Sequence, residues 1–582
     1  MIQASLSGSM IGTARRRIAR PGGILGPVLA VLVGILILAP LVKIALATGG
    51  VAWEEVLASR LSPNLFWWPL LNTIVIGLGV GIGTVLIGGF LAWLVVLTDL
   101  PFRRTIGVLA TLPFMIPSFA IALAWGVMFR NDRIGGSTGF LQAAGIDVPD
   151  WLAWGMAPIL IVLIAHYYSL AFALIAAALS SINSDILEAG QLTGASRSRI
   201  LVGITLPVVL PAVIAGASLT FAGGVSNFAA PALLGLPVRF QTLATRLYGM
   251  IETGQVERGY VLALLLIVVS ALFLWAGNRL VAGRRSYATI TGKGGRTKRF
   301  ALGAWRWPLF GAAATICLMT TVVPTIILIL SSLTTQKGDI FSELTLHYWI
   351  GQSDPEIAQG QAGIFHNADF ASAAVTTIGL GLVVAVAATL LGLLVAYYVS
   401  RFKGGMIAAF LSQVSFLPLL IPGIAFGAAY IALFGRPIGP MPALYGTFAL
   451  LAIAGAAYLL PFATQSGRSV MSQVSGDLED SARMAGASFI RRLFAIFAPL
   501  TVRGLTAGAL LVFVKIVRDL SLVVLLFTPA TPLLSVVAFR YASEGFLQFA
   551  NAITVVILLV SVIATLIAQR FQRASQPWMK ND

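Results

Sequence analysis

Two polar segments of this 582-residue chain carry acids, a glycine and basic residues at matching intervals. Residues 184–207 read SDILEAGQLTGASRSRILVGITLP, and residues 476–499 read GDLEDSARMAGASFIRRLFAIFAP. Asp185 and Asp477, Gly194 and Gly486, Ser196 and Ser488, Arg199 and Arg491, and Pro207 and Pro499 coincide at one offset. Each begins with an acid followed three residues later by another, Glu188 or Asp480, which suits a helix N-terminus. Gly194 and Gly486 come about two turns on, where a left-handed helix end favours glycine. Ser196 and Ser488 then suit the cap of a second short helix reaching Pro207 or Pro499. The chemistry on offer is recognition. A polar, basic surface kept twice in a mostly hydrophobic chain is expected to dock a partner; the plainer account is a hairpin that closes a helix bundle.

A second set of groups, Lys515, Arg518 and Asp519, lies inside an apolar run. Ionisable groups at membrane depth are costly and are usually functional or paired. Lys515 and Asp519 are spaced i, i+4, so they fit one helix face as an ion pair. The corresponding residues of the first copy are Gly223, Ser226 and Asn227. Two readings stand. Either the charges shield one another from lipid, or Asn227, Lys515, Arg518 and Asp519 lie on a path through the membrane or at the boundary between two halves. Catalysis and metal binding have no candidate residues. Cys317 is single, and His166, His347 and His366 are scattered without metal-ligand spacing.

The elements that must position these groups are membrane helices. The chain is 58% hydrophobic and 10% charged, against about 25% charged in a soluble domain. Apolar runs long enough to span a bilayer fall at 24–47, 70–98, 106–130, 152–180, 208–231, 260–282, 304–332, 371–400, 406–434, 443–467, 504–527 and 549–569. The fold expected is all-α and polytopic, with about twelve transmembrane helices. Residues 72–95 and 376–399 match, as do LPFMIP (112–117) and LPLLIP (417–422), so the chain reads as one half written twice. The division is 1–282, a basic linker at 283–303, and 304–582. Six spans per half make the repeats parallel.

The net charge of +17 describes topology. Basic clusters at Arg15–Arg20, Arg103–Arg104, 284–299 and 570–580 share one side if both termini are cytoplasmic, while the 333–370 loop is acidic. Nucleic acid is therefore not an expected partner. The first apolar run exceeds a cleaved signal's core and reads as an uncleaved anchor.

The paired segments resemble the EAA loop of ATP-binding-cassette importer permeases: Glu-Ala-Ala, a glycine, then Ile-x-Leu-Pro. Glu188, Ala189, Gly194, Ile204, Leu206 and Pro207 match. The second copy departs, with Asp480, Ser481 and Ala482 for Glu-Ala-Ala and Ala498 for the leucine, while Gly486, Ile496 and Pro499 stay. The whole chain resembles fused permeases of type I importers, in particular those for ferric iron and their thiamine and 2-aminoethylphosphonate relatives.

The resemblance implies a multi-pass protein of the bacterial inner membrane in a lipid bilayer. It implies two copies of a cytoplasmic ATPase docked at these loops, a periplasmic solute-binding protein, and alternating access. ATP would be bound by the partner, because TGKGGRT (291–297) lacks the spacing of a phosphate-binding loop; no cofactor is expected in this chain. Ferric iron leads as cargo, with 2-aminoethylphosphonate, thiamine or polyamine as alternatives. A secondary carrier is the main rival and a membrane enzyme a distant one.

Overall fold

The computed structural model describes residues 21–134, 136–182, 196, 199, 201–282, 299–339, 341–355, 357–472, 476–492, 495 and 497–572. The first half holds α1 (Pro21–Leu46), α2 (Trp68–Leu97), α3 (Arg103–Thr111), α4 (Ser118–Phe129), α5 (Met156–Ser180), α6 (Leu206–Ser226), α7 (Leu243–Glu252) and α8 (Val256–Ala282). The second holds α9 (Arg306–Cys317), α10 (Val323–Ser331), α11 (Ala368–Arg401), α12 (Met406–Val414), α13 (Gly423–Phe434) and α14 (Phe448–Met471). It continues with α15 (Gly476–Met484), α16 (Ala498–Val517), α17 (Leu534–Ser543) and α18 (Leu547–Gln572). Among the described residues there is no strand, only isolated bridges. Ten helices among these residues are long and apolar enough to cross a membrane, and twelve crossings result if each of two bent pairs counts as one.

Those pairs correct the sequence expectation. The apolar runs at 106–130 and 406–434 are not single helices: α3–α4 bends by 94° and α12–α13 by 112°. Both breaks fall in the repeated Leu-Pro-x-x-Ile-Pro. Proline removes a backbone donor and disfavours helical geometry in the residue before it. Accordingly Ile116 and Ile421 are extended, with ψ of 127° and 122°. Each pair still carries the chain across the layer, because the helices on either side of it run parallel. Gly79 faces Leu160, Gly83 faces Ile164 and Gly88 faces Phe172, so α2 and α5 advance together. Val384 against Gly455, Gly392 against Ala463 and Ala396 against Gly467 show the same for α11 and α14.

Repetition extends to individual bonds. Thr73 Oγ1 accepts from the Leu243 N–H that opens α7, and Thr377 Oγ1 accepts from the Leu534 N–H that opens α17, both over 2.9 Å. Ile82 and Leu86 on α2 are exposed, as are their counterparts Val386 and Leu390 on α11. These apolar faces belong against lipid.

Sequence halves are not spatial halves. Helix α1 packs on α12 and α13 of the second copy, and α9–α10 packs on α3 and α4 of the first. One bond fixes the first exchange. Pro40 inside α1 cannot donate to the carbonyl of Leu36, and the Tyr430 hydroxyl of α13 donates to that carbonyl over 2.7 Å. Tyr430→Phe would orphan the carbonyl in an apolar setting, and an unsatisfied buried group costs about 1–3 kcal/mol. The melting temperature of the detergent-solubilised protein should fall by several degrees; an unchanged value would show that the hydroxyl is dispensable.

The last residues of the basic linker are tied to the end of α2 and the turn after it. The Phe300 N–H donates to the Leu97 carbonyl over 2.8 Å, and the Leu302 N–H to Asp99 Oδ1 over 2.8 Å.

Candidate functional site

The two broken helices aim their breaks at the same place. Phe114, Pro117 and Ser118 from the first and Pro418, Leu419 and Ile421 from the second line a cavity of about 360 Å³ at the boundary between the copies. Non-helical backbone at membrane depth is tolerated where it is buried in protein or lines a cavity, so the prolines that break these helices also create the space. Helices α5 and α14 contribute His166 and Tyr167 on one side and Tyr458 and Phe462 on the other, and α6 and α16 close the wall.

Asn227, Lys515, Arg518 and Asp519, singled out from the sequence, all line this cavity. The expected pairing of Lys515 with Asp519 does not form. Helix α16 stops at Val517, so the i, i+4 relation lapses before Asp519. The Lys515 ammonium instead lies 4.1 Å from the ring centre of Phe462 and 4.9 Å from that of Phe114, an arrangement in which the ring quadrupole favours the cation. Arg518 stacks on Phe114 at 4.9 Å and donates from Nη1 to the Phe114 carbonyl, which the break has released. Second-half cations thus rest on a first-half aromatic.

Asn227 and Asp519 do the same backbone task in the two copies. The Ala230 N–H donates to Asn227 Oδ1 over 3.0 Å, and the Leu522 N–H donates to Asp519 Oδ1 over 2.7 Å. Each side chain caps the segment that follows α6 or α16. Asn227 Nδ2 also donates to Ser118 Oγ over 2.8 Å, tying α6 to the start of α4. Asp519→Asn should keep the cap, whereas Asp519→Leu or Asn227→Leu should each lose about 1–2 kcal/mol. Thermal unfolding in detergent checks this; equal melting temperatures for Asp519→Asn and Asp519→Leu would remove the capping role.

The second paired segment is largely described. Helix α15 starts at Gly476, with Asp477 and Asp480 exposed on its first turns. It ends at Met484 and is closed by Gly486, whose φ is +78°, while the Ala487 N–H reaches back to the Ala482 carbonyl over 3.0 Å. That is the left-handed closure for which glycine is suited. Ser488 Oγ accepts from the Arg491 N–H over 3.3 Å, and Ser196 Oγ accepts from the Arg199 N–H over 3.3 Å. Pro499 and Pro207 sit in the first turns of α16 and α6. Leu478 and Met484 of α15 are exposed as well, Met484 to 85%. Asp185, Glu188, Ala189 and Gly194 lie outside the described residues.

The aromatic lining escaped the sequence reading. His166 looked like one of three scattered histidines, yet it faces the cavity, as does Tyr458 at the matching place in the other copy. The 292-residue offset of the paired polar segments, applied to the helix before each, was the signal that matches His166 to Tyr458. Among the described residues, no group of three His, Cys, Asp or Glu is placed to hold a metal ion.

Known proteins carry the same organisation. A family model described as binding-protein-dependent transport system inner membrane component matches twice, at residues 84–286 and 388–581. The ferric transport system permease protein FbpB of Actinobacillus pleuropneumoniae is 25% identical over 485 residues, covering 79% of this chain and 64% of the relative. A putative ferric transport system permease protein, FbpB 1 of Haemophilus influenzae, is 26% identical over 446 residues, covering 74% and 66%. The putative 2-aminoethylphosphonate transport system permease protein PhnU of Salmonella typhimurium is 26% identical over 219 residues, covering 37% and 75%. The matches thus span a little under two thirds of the length of both ferric relatives.

Proposed function

The chain belongs to the family of binding-protein-dependent transport system inner membrane components, and from that membership we propose that it is the permease of an ATP-driven importer. Solute arrives from an external binding protein and enters the cavity between the copies. Two copies of a separate cytoplasmic ATPase dock at 184–207 and 476–499, bind the ATP, and rock the halves between outward- and inward-facing states. Both termini are then cytoplasmic and the protein spans the bacterial inner membrane. Partners that bind the two states unequally are what couple ATP to movement.

The observation that carries this reading is a cavity built from both copies, with the paired broken helices opening into it. Two ferric permeases matching across most of this chain support iron as cargo. The 2-aminoethylphosphonate relative supports a phosphonate as the second reading. The test is uptake by proteoliposomes containing the chain and its ATPase, with binding protein outside and ATP inside. Uptake should need hydrolysable ATP and survive dissipation of ion gradients. The reverse pattern would make the protein a secondary carrier.

A further inference from the structure

The cavity wall is electrically one-sided. Its first-half face offers Gly223, Ser226 and Asn227, and its second-half face offers Lys515, Arg518 and Asp519. Two cations and one carboxylate leave a positive excess. The carboxylate is partly engaged, since Asp519 Oδ1 already accepts from the Leu522 N–H. The cations are freer. Lys515 has aromatic rings beneath it and, among the described residues, no hydrogen-bond partner and no direct ion pair, Asp519 acting on it only through space. Arg518 gives one N–H to the Phe114 carbonyl, and a guanidinium has five to offer. His166 lines the same space and is buried. The Tyr458 hydroxyl has no partner among the described residues, and Tyr167 stands near Asn227.

A bare multivalent cation entering this space would meet two like charges and one preoccupied carboxylate. An oxyanion would meet an ammonium, the fork of an arginine and hydroxyl donors, the groups that suit carboxylate, phosphate and phosphonate oxygens. We propose that solute passes this point as an oxyanion, or as a metal complex whose outward-facing ligand atoms are oxyanion oxygens, received by Lys515 and Arg518. Iron would therefore cross within an anionic chelate. This inference rests on the importer reading.

Charge substitutions of opposite sign provide the test, in proteoliposomes holding the chain, its ATPase and binding protein. The probes are radiolabelled ferric citrate, 2-aminoethylphosphonate and putrescine, with uptake expressed per assembled complex. Lys515→Gln should cut oxyanion uptake about tenfold, the scale of losing a hydrogen bond to a charged group, and Lys515→Arg should restore most of it. Asp519→Asn, which keeps the cap, should raise uptake. Whether citrate-bound iron or the phosphonate responds identifies the source of the oxyanion. Uptake lost with Asp519→Asn but kept with Lys515→Gln overturns the inference, as does wild-type uptake of putrescine alone; both leave the importer reading standing. ATP-independent uptake overturns the importer reading, while the response to the two charge changes still decides the sign of the cargo.

Discussion

Gly392→Val is expected to abolish recovery of folded protein from the membrane. A Cβ at residue 392 would stand 2.6 Å from the Ala463 carbonyl carbon and 2.7 Å from the Thr464 nitrogen, both backbone atoms of α14. Side chains can rotate away from an added group; the backbone of a packed helix cannot. Ordinary overpacking costs about 1–3 kcal/mol, and separating two helices along a whole crossing costs more. Membrane helices associate through small residues that let backbones approach, so no hydrophobic gain offsets the loss. The matching crossing predicts the same for Gly88→Val, where the Cβ would lie 2.7 Å from both the Phe172 nitrogen and the Tyr168 oxygen. Gly379→Val is the control, because nothing lies within 4 Å of its added carbon. Monodisperse yield on size exclusion compares the three. Equal yields for Gly392→Val and Gly379→Val would show that the crossing tolerates separation.

Gly486→Val should give the opposite profile, with normal yield and an uncoupled protein. The glycine has φ +78°, and nothing lies within 4 Å of the place a Cβ would take, so the penalty is conformational rather than a clash. A β-branched residue in the left-handed region costs more than the roughly 1–2 kcal/mol of an ordinary side chain. Relaxing that strain means unwinding the end of α15 and turning Asp477, Asp480, Leu478 and Met484 away from their present surface. ATPase co-purification should fall to about a tenth if the coupling free energy is near 1.4 kcal/mol, with uptake falling alongside. Gly486→Asn should recover part of both, since asparagine also closes helices in this conformation. Full ATPase recovery with Gly486→Val would separate this turn from coupling.

The helix class, the repeat and the caps of the paired segments were legible because each depends on local chemistry. Composition sets burial in lipid, and serine, glycine and proline mark helix ends wherever they occur. The breaks at Pro117 and Pro422 were hidden because hydropathy sees an unbroken apolar run and is blind to direction. Lys515 and Asp519 misled for a related reason: their spacing implies a shared face only in a continuing helix, and α16 stops at Val517. The cavity itself was half visible. Its charged residues stood out by type, whereas Phe114, His166, Tyr458 and Phe462 are ordinary membrane-helix residues until two distant segments meet around them. No local pattern announces that meeting, nor the exchange of α1 and α9–α10 between copies.

That exchange sets an order of events during synthesis. The hydroxyl that satisfies Leu36 belongs to Tyr430, 394 residues later in the chain. At about 5–20 residues per second, α1 waits roughly 20–80 s in the bilayer before its partner is made. Helices α9 and α10 face no such delay, because α3 and α4 precede them. The two exchanged elements thus have unequal histories: α9–α10 can dock as they emerge, while α1 must wait for α12 and α13. Pro40 makes that interval costly, since the carbonyl it uncovers has no donor until α13 arrives, and the membrane insertion machinery or a neighbouring helix must shelter it meanwhile.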